Sequence, residues 1–200
     1  MADPADTVVR RIMDSAAFKA AVATLDADHD RIVDDIVALT EIESPPFGEN
    51  VRARDWFERA RAHGLQDLEI DAEGNVTGLR RGSGNGRLIC VAAHLDTVFP
   101  AGTNVKVRRE GDKLFAPGIG DDTRSLAVIL GWLRALDAAG IQTRDDILFV
   151  ADVGEEGLGD LRGMRHLFQQ GKYKDRISAF VTVDSPDMDR IVTGGVGSKR

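Results

Sequence analysis

The sequence predicts an α/β fold in which a mostly parallel mixed sheet carries helices on both faces. Three apolar segments of strand length, residues 87–93, 146–151 and 178–183, are typical of buried strands. Longer segments with apolar residues at helical spacing alternate with them along the chain. This alternation of strands and helices favours parallel pairing, because parallel strands need crossover connections that are usually helical.

The elements before the first of these strands are predicted by periodicity and by turn residues. Apolar residues from Ile32 to Leu39 recur at helical spacing within a helix over residues 16–40, and the prolines at 45 and 46 end it. A second helix spans residues 49–63, and Gly64 is placed to cap it. Strands 68–71 and 76–80 follow, joined by a turn over residues 73–75.

The remaining elements are predicted in the same way. Residues 105–109 and 113–116 alternate around the Glu110-Gly111-Asp112 turn and indicate a hairpin. Helices are expected over residues 126–139 and 161–170, each followed by a glycine, and a last strand over residues 190–193.

Composition excludes several classes of function. The net charge of -7 argues against nucleic-acid binding, which needs a basic surface. The apolar segments are far too short to span a bilayer, and the first six residues do not form a signal peptide, so no membrane association is expected. The single cysteine, Cys90, excludes an internal disulfide and lies in a predicted strand, where an apolar role is expected. A cytoplasmic location is the expectation.

Acidic and imidazole side chains follow each of the three buried strands. His94 and Asp96 come after the first strand and point to one side if the extended geometry persists, so that His94 binds a metal and Asp96 orients it. The alternative is a surface His-x-Asp. Glu155 and Glu156 follow the second strand, where one glutamate binds metal and the other moves protons, unless the segment is a solvated loop. Asp184 ends the third strand as a ligand or as a cap of the next turn.

Asp121 and Asp122 open the helix between the first two strands, after a glycine-rich turn. A helix N-cap is one interpretation, since Asp caps helices well. The other is a metal ligand, because a carboxylate has two oxygens and can bridge two ions. Taken together, the four groups predict a site at the carboxyl ends of the strands, where ligands bind in such sheets. One imidazole with several carboxylates suits zinc, with manganese or cobalt as alternatives.

The motifs at residues 94–98, 118–122 and 154–157 resemble those of the co-catalytic di-zinc exopeptidases, which include peptidase T, carboxypeptidase G and acylamino-acid deacylases. The likeness runs from about Ile42 to the last residue. It implies two Zn²⁺ ions held by His94, Asp121, Glu156 and Asp184. His94 and Asp184 would bind one ion, Asp121 would bridge both, and Glu156 would bind the second.

The resemblance also implies that Glu155 is the general base, that Asp96 supports His94, and that the Asp121-Asp122 peptide is cis. The family continues its Asp motif with Lys and Gly, whereas this chain has Thr123-Arg124-Ser125. A histidine that binds the second ion in the family has no match here.

The expected domain organisation also follows from the resemblance. Residues 1–193 would form the amino-terminal part of a catalytic domain, truncated before the family's lid or dimerisation insert, and residues 194–200 a linker into that insert. The full-length form would be a homodimer.

Three functions remain open at this stage. The first is an exopeptidase that acts on short peptides, favoured by the peptidase T-like residues 154–160. The second is a deacylase or amidase that uses the same site on N-acyl amino acids. The third is a non-catalytic relic that binds metal or peptide.

Overall fold

A computed structural model describes residues 4–84, 86–184 and 191–194. The helices in these residues are α1 Pro4–Asp14, α2 Ala16–Ala27, α3 His29–Thr40, α4 Asn50–Ala60, α5 Arg124–Ala138 and α6 Arg162–Gln169. The strands are β1 Gln66–Ile70, β2 Val76–Arg80, β3 Leu88–His94, β4 Arg108–Glu110, β5 Lys113–Phe115, β6 Asp146–Asp152 and β7 Ile177–Thr182.

Five strands form one mixed sheet in the order β1-β2-β6-β3-β7. Strands β6, β3 and β7 are parallel neighbours, whereas β2 pairs with β1 and β6 in the antiparallel sense. The three parallel strands are the three apolar segments that the sequence singled out. β4 and β5 form a separate antiparallel hairpin. The predicted fold class is confirmed.

Both faces of the sheet are covered. Side chains alternate between the two faces along each buried strand, so each face offers apolar side chains for packing. On β3, Leu88, Cys90 and Ala92 face one side, where Leu167 of α6 packs. Val91 and Ala93 face the other side and join a cluster formed with α3, α4 and α5. Trp56 of α4 is fully buried in that cluster, and its indole N–H donates to the Leu126 carbonyl at 3.2 Å.

Some predicted boundaries are wrong. The predicted helix over residues 16–40 is two helices, because Asp28 ends α2 and precedes α3, and its carboxylate pairs with Arg134 of α5. Helix α1 was not anticipated. Of the last predicted strand, Arg190 lies outside the described residues, and residues 191–193 form no regular element.

The division of the chain at residue 193 stays a prediction, since residues 195–200 lie outside the described residues. In the part of the chain that the structure describes, no helix is both long and apolar enough to cross a membrane.

Candidate metal centre

Parallel pairing brings the predicted site residues to one edge of the sheet. His94 is the last residue of β3 and lies opposite Asp152, the last residue of β6. β7 runs parallel to β3 on its other side and leads to Asp184 two residues after its end. The carboxyl ends of three neighbouring strands therefore present their polar residues together.

Five of the predicted side chains converge at this edge. Ligand atoms of His94, Asp121 and Asp184 lie within 4.8 Å of one another. Ligand atoms of His94, Glu155 and Glu156 also lie within 4.8 Å of one another. The structure thus forms two groups with His94 in common. The grouping of His94 with Asp121 and Asp184 is the set of ligands that the resemblance implies for the first ion.

The imidazole of His94 is held in one orientation. It is buried, and its Nδ1 lies 2.9 Å from the backbone carbonyl of Asp96, which is an acceptor, so Nδ1 carries the proton of this hydrogen bond. Nε2 faces the cluster and lies 2.9 Å from Oδ1 of Asp121. Burial alone would lower the pKa of His94, but the hydrogen bond to Asp96 and the nearby carboxylates of Asp122, Asp96 and Asp152 raise it to about 10.

Asp96 does more than the predicted support of His94. Its carboxylate is fully buried, with Oδ1 at 3.5 Å from Nδ1 of His94. The same carboxylate accepts the backbone N–H of Glu155 at 2.9 Å and of Glu156 at 2.8 Å. Burial opposes ionisation, yet His94 and these two amides hold the pKa of Asp96 below its usual value. One carboxylate therefore fixes the position of the glutamate loop relative to the histidine.

The Asp121-Asp122 peptide bond is cis, as the resemblance implied. The two side chains have different environments. The Asp121 carboxylate is 56% exposed and faces His94, whereas Asp122 is fully buried and accepts the backbone N–H of His94 at 3.1 Å. Burial raises the pKa of Asp122 to about 8 despite the opposing charge of His94. Asp122 thus braces the end of β3, and Asp121 is the carboxylate placed to bind a ligand.

Thr123 stands where the family commonly has lysine, and it has a structural role here. Its hydroxyl donates to the Gly118 carbonyl at 2.6 Å and lies 2.9 Å from the Thr40 hydroxyl. These contacts tie the aspartate turn to the end of α3.

Glu155 and Glu156 are both partly buried. Burial raises the pKa of Glu155, and the negative charges of Asp184, Asp96 and Asp121 add to this effect against the opposing charge of His94. Burial also raises the pKa of Glu156, with Asp121 as the next largest cause. The geometry brings both glutamates to the cluster without distinguishing a ligand from a base.

Sequence reasoning missed Asp152. It is buried beside His94, and burial raises its pKa to about 7, with the charges of Asp96 and Glu155 acting in the same direction. The signal that identified the other acids applies to it, because it directly follows the predicted strand over residues 146–151.

Sequence reasoning also missed Arg52, which lies in α4 and is buried below the site. Its guanidinium donates to the Leu95 carbonyl at 2.7 Å and to the Ile42 carbonyl. Burial lowers its pKa to about 10, whereas the charge of Asp96 favours its ionised form. An arginine among other polar residues of a helix gives no sequence signal for such a role.

The donor set suits a divalent cation. One imidazole and several carboxylates are the ligands of zinc sites. Burial raises the pKa values of Asp122, Asp152 and the two glutamates, and the crowding of neighbouring negative charges adds to this effect. A bound dication would relieve that crowding. The residues therefore fit the metal ions that the resemblance implies.

Comparisons with known proteins agree with this geometry. The sequence model of "Peptidase family M20/M25/M40" matches residues 90–197. Carboxypeptidase G2 from Pseudomonas sp. (strain RS-16) is 34% identical over 116 residues, which are 56% of this chain and 27% of that protein.

Two solved structures show the shared fold. Aminopeptidase PepT from Bacillus cereus matches with a TM-score of 0.65 and 23% identity, over 78% of this chain and 43% of that chain. The YXEP protein of Bacillus subtilis, described as a dinuclear metal-binding peptidase from the M20 family, matches with a TM-score of 0.59 and 16% identity, over 80% of this chain and 43% of that chain. The matched part is less than half the length of each of these three proteins.

Proposed function

Because this chain belongs to peptidase family M20/M25/M40, we propose that the cluster at the carboxyl edge of its sheet is a two-metal centre that hydrolyses amide bonds in short peptides. The observation that carries the proposal is the convergence of His94 with two pairs of acidic side chains. In each of these two groups the ligand atoms lie within 4.8 Å of one another. Zinc is the proposed metal, with manganese or cobalt as alternatives, because the donors are one imidazole and several carboxylates.

His94, Asp121 and Asp184 would hold one ion, and Asp121 and Glu156 would hold the second. The ions would supply Lewis-acid activation of water and of the scissile carbonyl. The chain's own contribution is orientation. Asp96 fixes His94 through its backbone carbonyl and fixes the amide of Glu156 through its carboxylate, so one residue positions a ligand at the end of β3 and a ligand in the loop after β6.

Glu155 is the proposed general base. Its amide is held by Asp96 at 2.9 Å, which places the side chain at the cluster without using its carboxylate. Glu155 would accept a proton from the attacking water and transfer it to the amine nitrogen that leaves. Burial raises its pKa, which makes the carboxylate a stronger base towards the proton of the water.

The finer proposal is an exopeptidase of the peptidase T type that acts on short peptides. The likeness of residues 154–160 to that group supports it. The name of carboxypeptidase G2 refers to the carboxyl end of the substrate, whereas PepT is named an aminopeptidase. The cleaved end must therefore be tested directly. Assays of the full-length protein with tripeptides blocked at either terminus identify that end. Hydrolysis of N-acyl amino acids without tripeptide hydrolysis would favour the deacylase instead.

The decisive experiment is Glu155→Gln in the zinc-loaded, full-length protein. We expect turnover to fall by a factor of at least about 100, because proton transfer by a positioned base typically contributes that much, while the zinc content stays unchanged. Glu69→Gln on the exposed surface of β1 is the matched control and should retain activity. Loss of zinc together with activity in Glu155→Gln would contradict the assignment of Glu155 as base rather than ligand.

Zinc stoichiometry separates the enzyme from a relic. Two tightly bound ions per chain of the full-length protein, measured by metal analysis after dialysis, favour the enzyme, whereas none favours the relic. The proposal includes homodimeric assembly of the full-length form and a cytoplasmic location, which sedimentation and cell fractionation test. It also includes residues 1–193 as the amino-terminal part of a catalytic domain and residues 194–200 as a linker to a lid or dimerisation domain.

A further inference from the structure

An apolar pocket of about 330 Å³ adjoins the metal centre. Three separate segments form it, and two of them overlap the ends of the metal-site motifs at residues 94–98 and 154–157. We call it the apolar pocket, and its lining residues are Pro46, Phe47, Val98, Phe99, Pro100, Glu156, Gly157 and Leu158. Glu156, a proposed metal ligand, is the ionisable member of this lining, so the pocket opens onto the cluster. Its size lies at the lower end of the range for small-molecule sites, about 300–1,000 Å³.

Phe47 forms one wall in an unfavourable backbone conformation. Its φ is +68°, a left-handed value that a bulky residue rarely adopts, and its side chain is 69% exposed. Neither feature stabilises the fold. Backbone conformations of this kind persist where the surroundings enforce them, and they cluster at ligand-binding sites.

The surroundings of Phe47 enforce this conformation. The buried carboxylate of Glu49 accepts the Phe47 N–H at 3.0 Å and pairs with Arg162 at 2.7 Å. The Arg162 guanidinium lies over the Phe47 ring, 5.0 Å from its centroid. A largely buried ion pair therefore holds the amide and one face of the ring, and the ring remains available as a wall of the apolar pocket.

The other lining side chains are also apolar and exposed. Leu158 is 87% exposed and Val98 is 62% exposed, although each comes within four residues of a proposed metal-site residue. Exposed apolar side chains gathered at one place mark a binding surface. Here the surface is continuous with the acidic cluster, so a ligand that enters it is anchored at the metal centre.

We propose that the apolar pocket receives the apolar side chain of a peptide residue next to the scissile bond, and that Phe47 and Leu158 select for it. The substrate class is therefore peptides with a large apolar residue at that position. This inference rests on the proposed function, since it takes the cluster as the anchor of the substrate. The rival occupants are another part of the full-length protein or a second copy, and either would keep the pocket closed to ligands.

Leucine hydroxamate and glycine hydroxamate test the pocket without catalysis. Both carry the same metal-binding group, and only the first has an apolar side chain. Their dissociation constants are measured by calorimetry on the zinc-loaded, full-length protein. We expect leucine hydroxamate to bind about tenfold more tightly, because burial of one such side chain contributes a factor of that order.

Three variants locate the source of this preference. Phe47→Gly removes the ring and suits the left-handed backbone, and Leu158→Ser replaces another apolar side chain of the lining with a short polar one. Both should bring the affinity ratio towards one. Leu161→Gly is the matched control, because Leu161 is also apolar, 44% exposed and left-handed at φ +57°, but does not line the pocket. It should retain the ratio.

Each outcome decides the inference. A ratio near one in the unaltered protein, or a ratio that both pocket variants keep, overturns it. A fall in melting temperature or a dissociated oligomer in Phe47→Gly, with the ratio unchanged, assigns the pocket to a covering segment or a second copy and also overturns it. If the ratio behaves as expected while no peptide is hydrolysed, the pocket stands and the proposed function fails. If neither hydroxamate binds, both fail.

Discussion

Two aspartates at opposite ends of β6 show how the same residue type serves different purposes in one strand. Asp146 begins the strand and Asp152 ends it, and their exposed fractions are 5% and 3%. Both side chains therefore expose little surface to water, although Asp152 lies much deeper in the protein than Asp146. Their partners differ.

Asp146 is neutralised by the protein itself. Its carboxylate accepts the Gly82 N–H at 2.9 Å, and Arg176 and Arg81 lie at 2.9 and 3.0 Å. The hydrogen bond from Gly82 is the largest cause that lowers the pKa of Asp146, and the two arginines add to it. This end of the sheet is stabilised by complete pairing.

Asp152 lies among groups of its own sign. Burial, Asp96 and Glu155 raise its pKa to about 7, and His94 is the cation that opposes them. Burial of an acid therefore does not by itself indicate function. What distinguishes the carboxyl edge is that its acids outnumber the cations facing them, which suits a cation from solution.

Metal addition should produce the largest difference in stability between variants at the two ends of β6. Zinc at about a thousand times its dissociation constant should raise the free energy of unfolding by about 4 kcal/mol, because it binds only the folded cluster. Denaturant unfolding with zinc or with a chelator measures this. His94→Asn should abolish the gain and Asp146→Asn should keep it. An equal gain in His94→Asn would show that zinc binds elsewhere.

Exchange of each aspartate for asparagine should produce the next largest difference. Asp146→Asn should lower the free energy of unfolding of the metal-free protein by about 1.5–3 kcal/mol, the range for hydrogen bonds to charged groups. Asp152→Asn at pH 8 should leave it unchanged or raise it, because the ionised carboxylate there is unfavourable in the folded state. Equal losses in the two variants would remove the distinction between the ends of β6.

The pH dependence should produce the smallest difference. The pKa of His94 is raised to about 10 in the folded state, so the stability that its charge contributes is present below its ordinary pKa and is lost as the pH rises through 10. Between pH 8.5 and 9.5 the metal-free protein should lose more stability than His94→Asn, by at most about 1.4 kcal/mol.

At the start of β6, the pH dependence of stability has the opposite sign. The lowered pKa of Asp146 gives stability that is present above its ordinary pKa and lost as the pH falls through the folded value. Urea titrations across the pH range separate the two effects. Identical slopes for the unaltered protein and His94→Asn at high pH would contradict the raised pKa of His94.

The sequence predicted the features that depend on local pattern. β2 has the predicted bounds of residues 76–80, and the three buried strands differ by about one residue at their ends because their apolar runs are bounded by polar residues. The convergence of His94 with Asp184 was predictable for the same reason, since the carboxyl ends of parallel strands meet at one edge.

The remaining features depend on contacts distant in sequence. At the break between α2 and α3, Asp28 pairs with Arg134, which is 106 residues away in the sequence. The double hydrogen bond from Asp96 to the glutamate loop crosses about 60 residues, and neither partner's local sequence indicates it. Asp152 lies beside His94 only because β3 and β6 pair in this register, which the local sequence around residues 152–156 does not indicate.

Arg52 limits how far the centre can be transplanted. The family match begins at residue 90, and the segment from there to residue 184 contains every proposed ligand. Arg52 lies outside that segment, yet its guanidinium holds the carbonyl of Leu95, the residue between His94 and Asp96. A miniaturised protein built from the matched segment alone would keep the ligands and lose the cation beneath them. A smaller protein that carries this metal centre must therefore include α4, which contains Arg52.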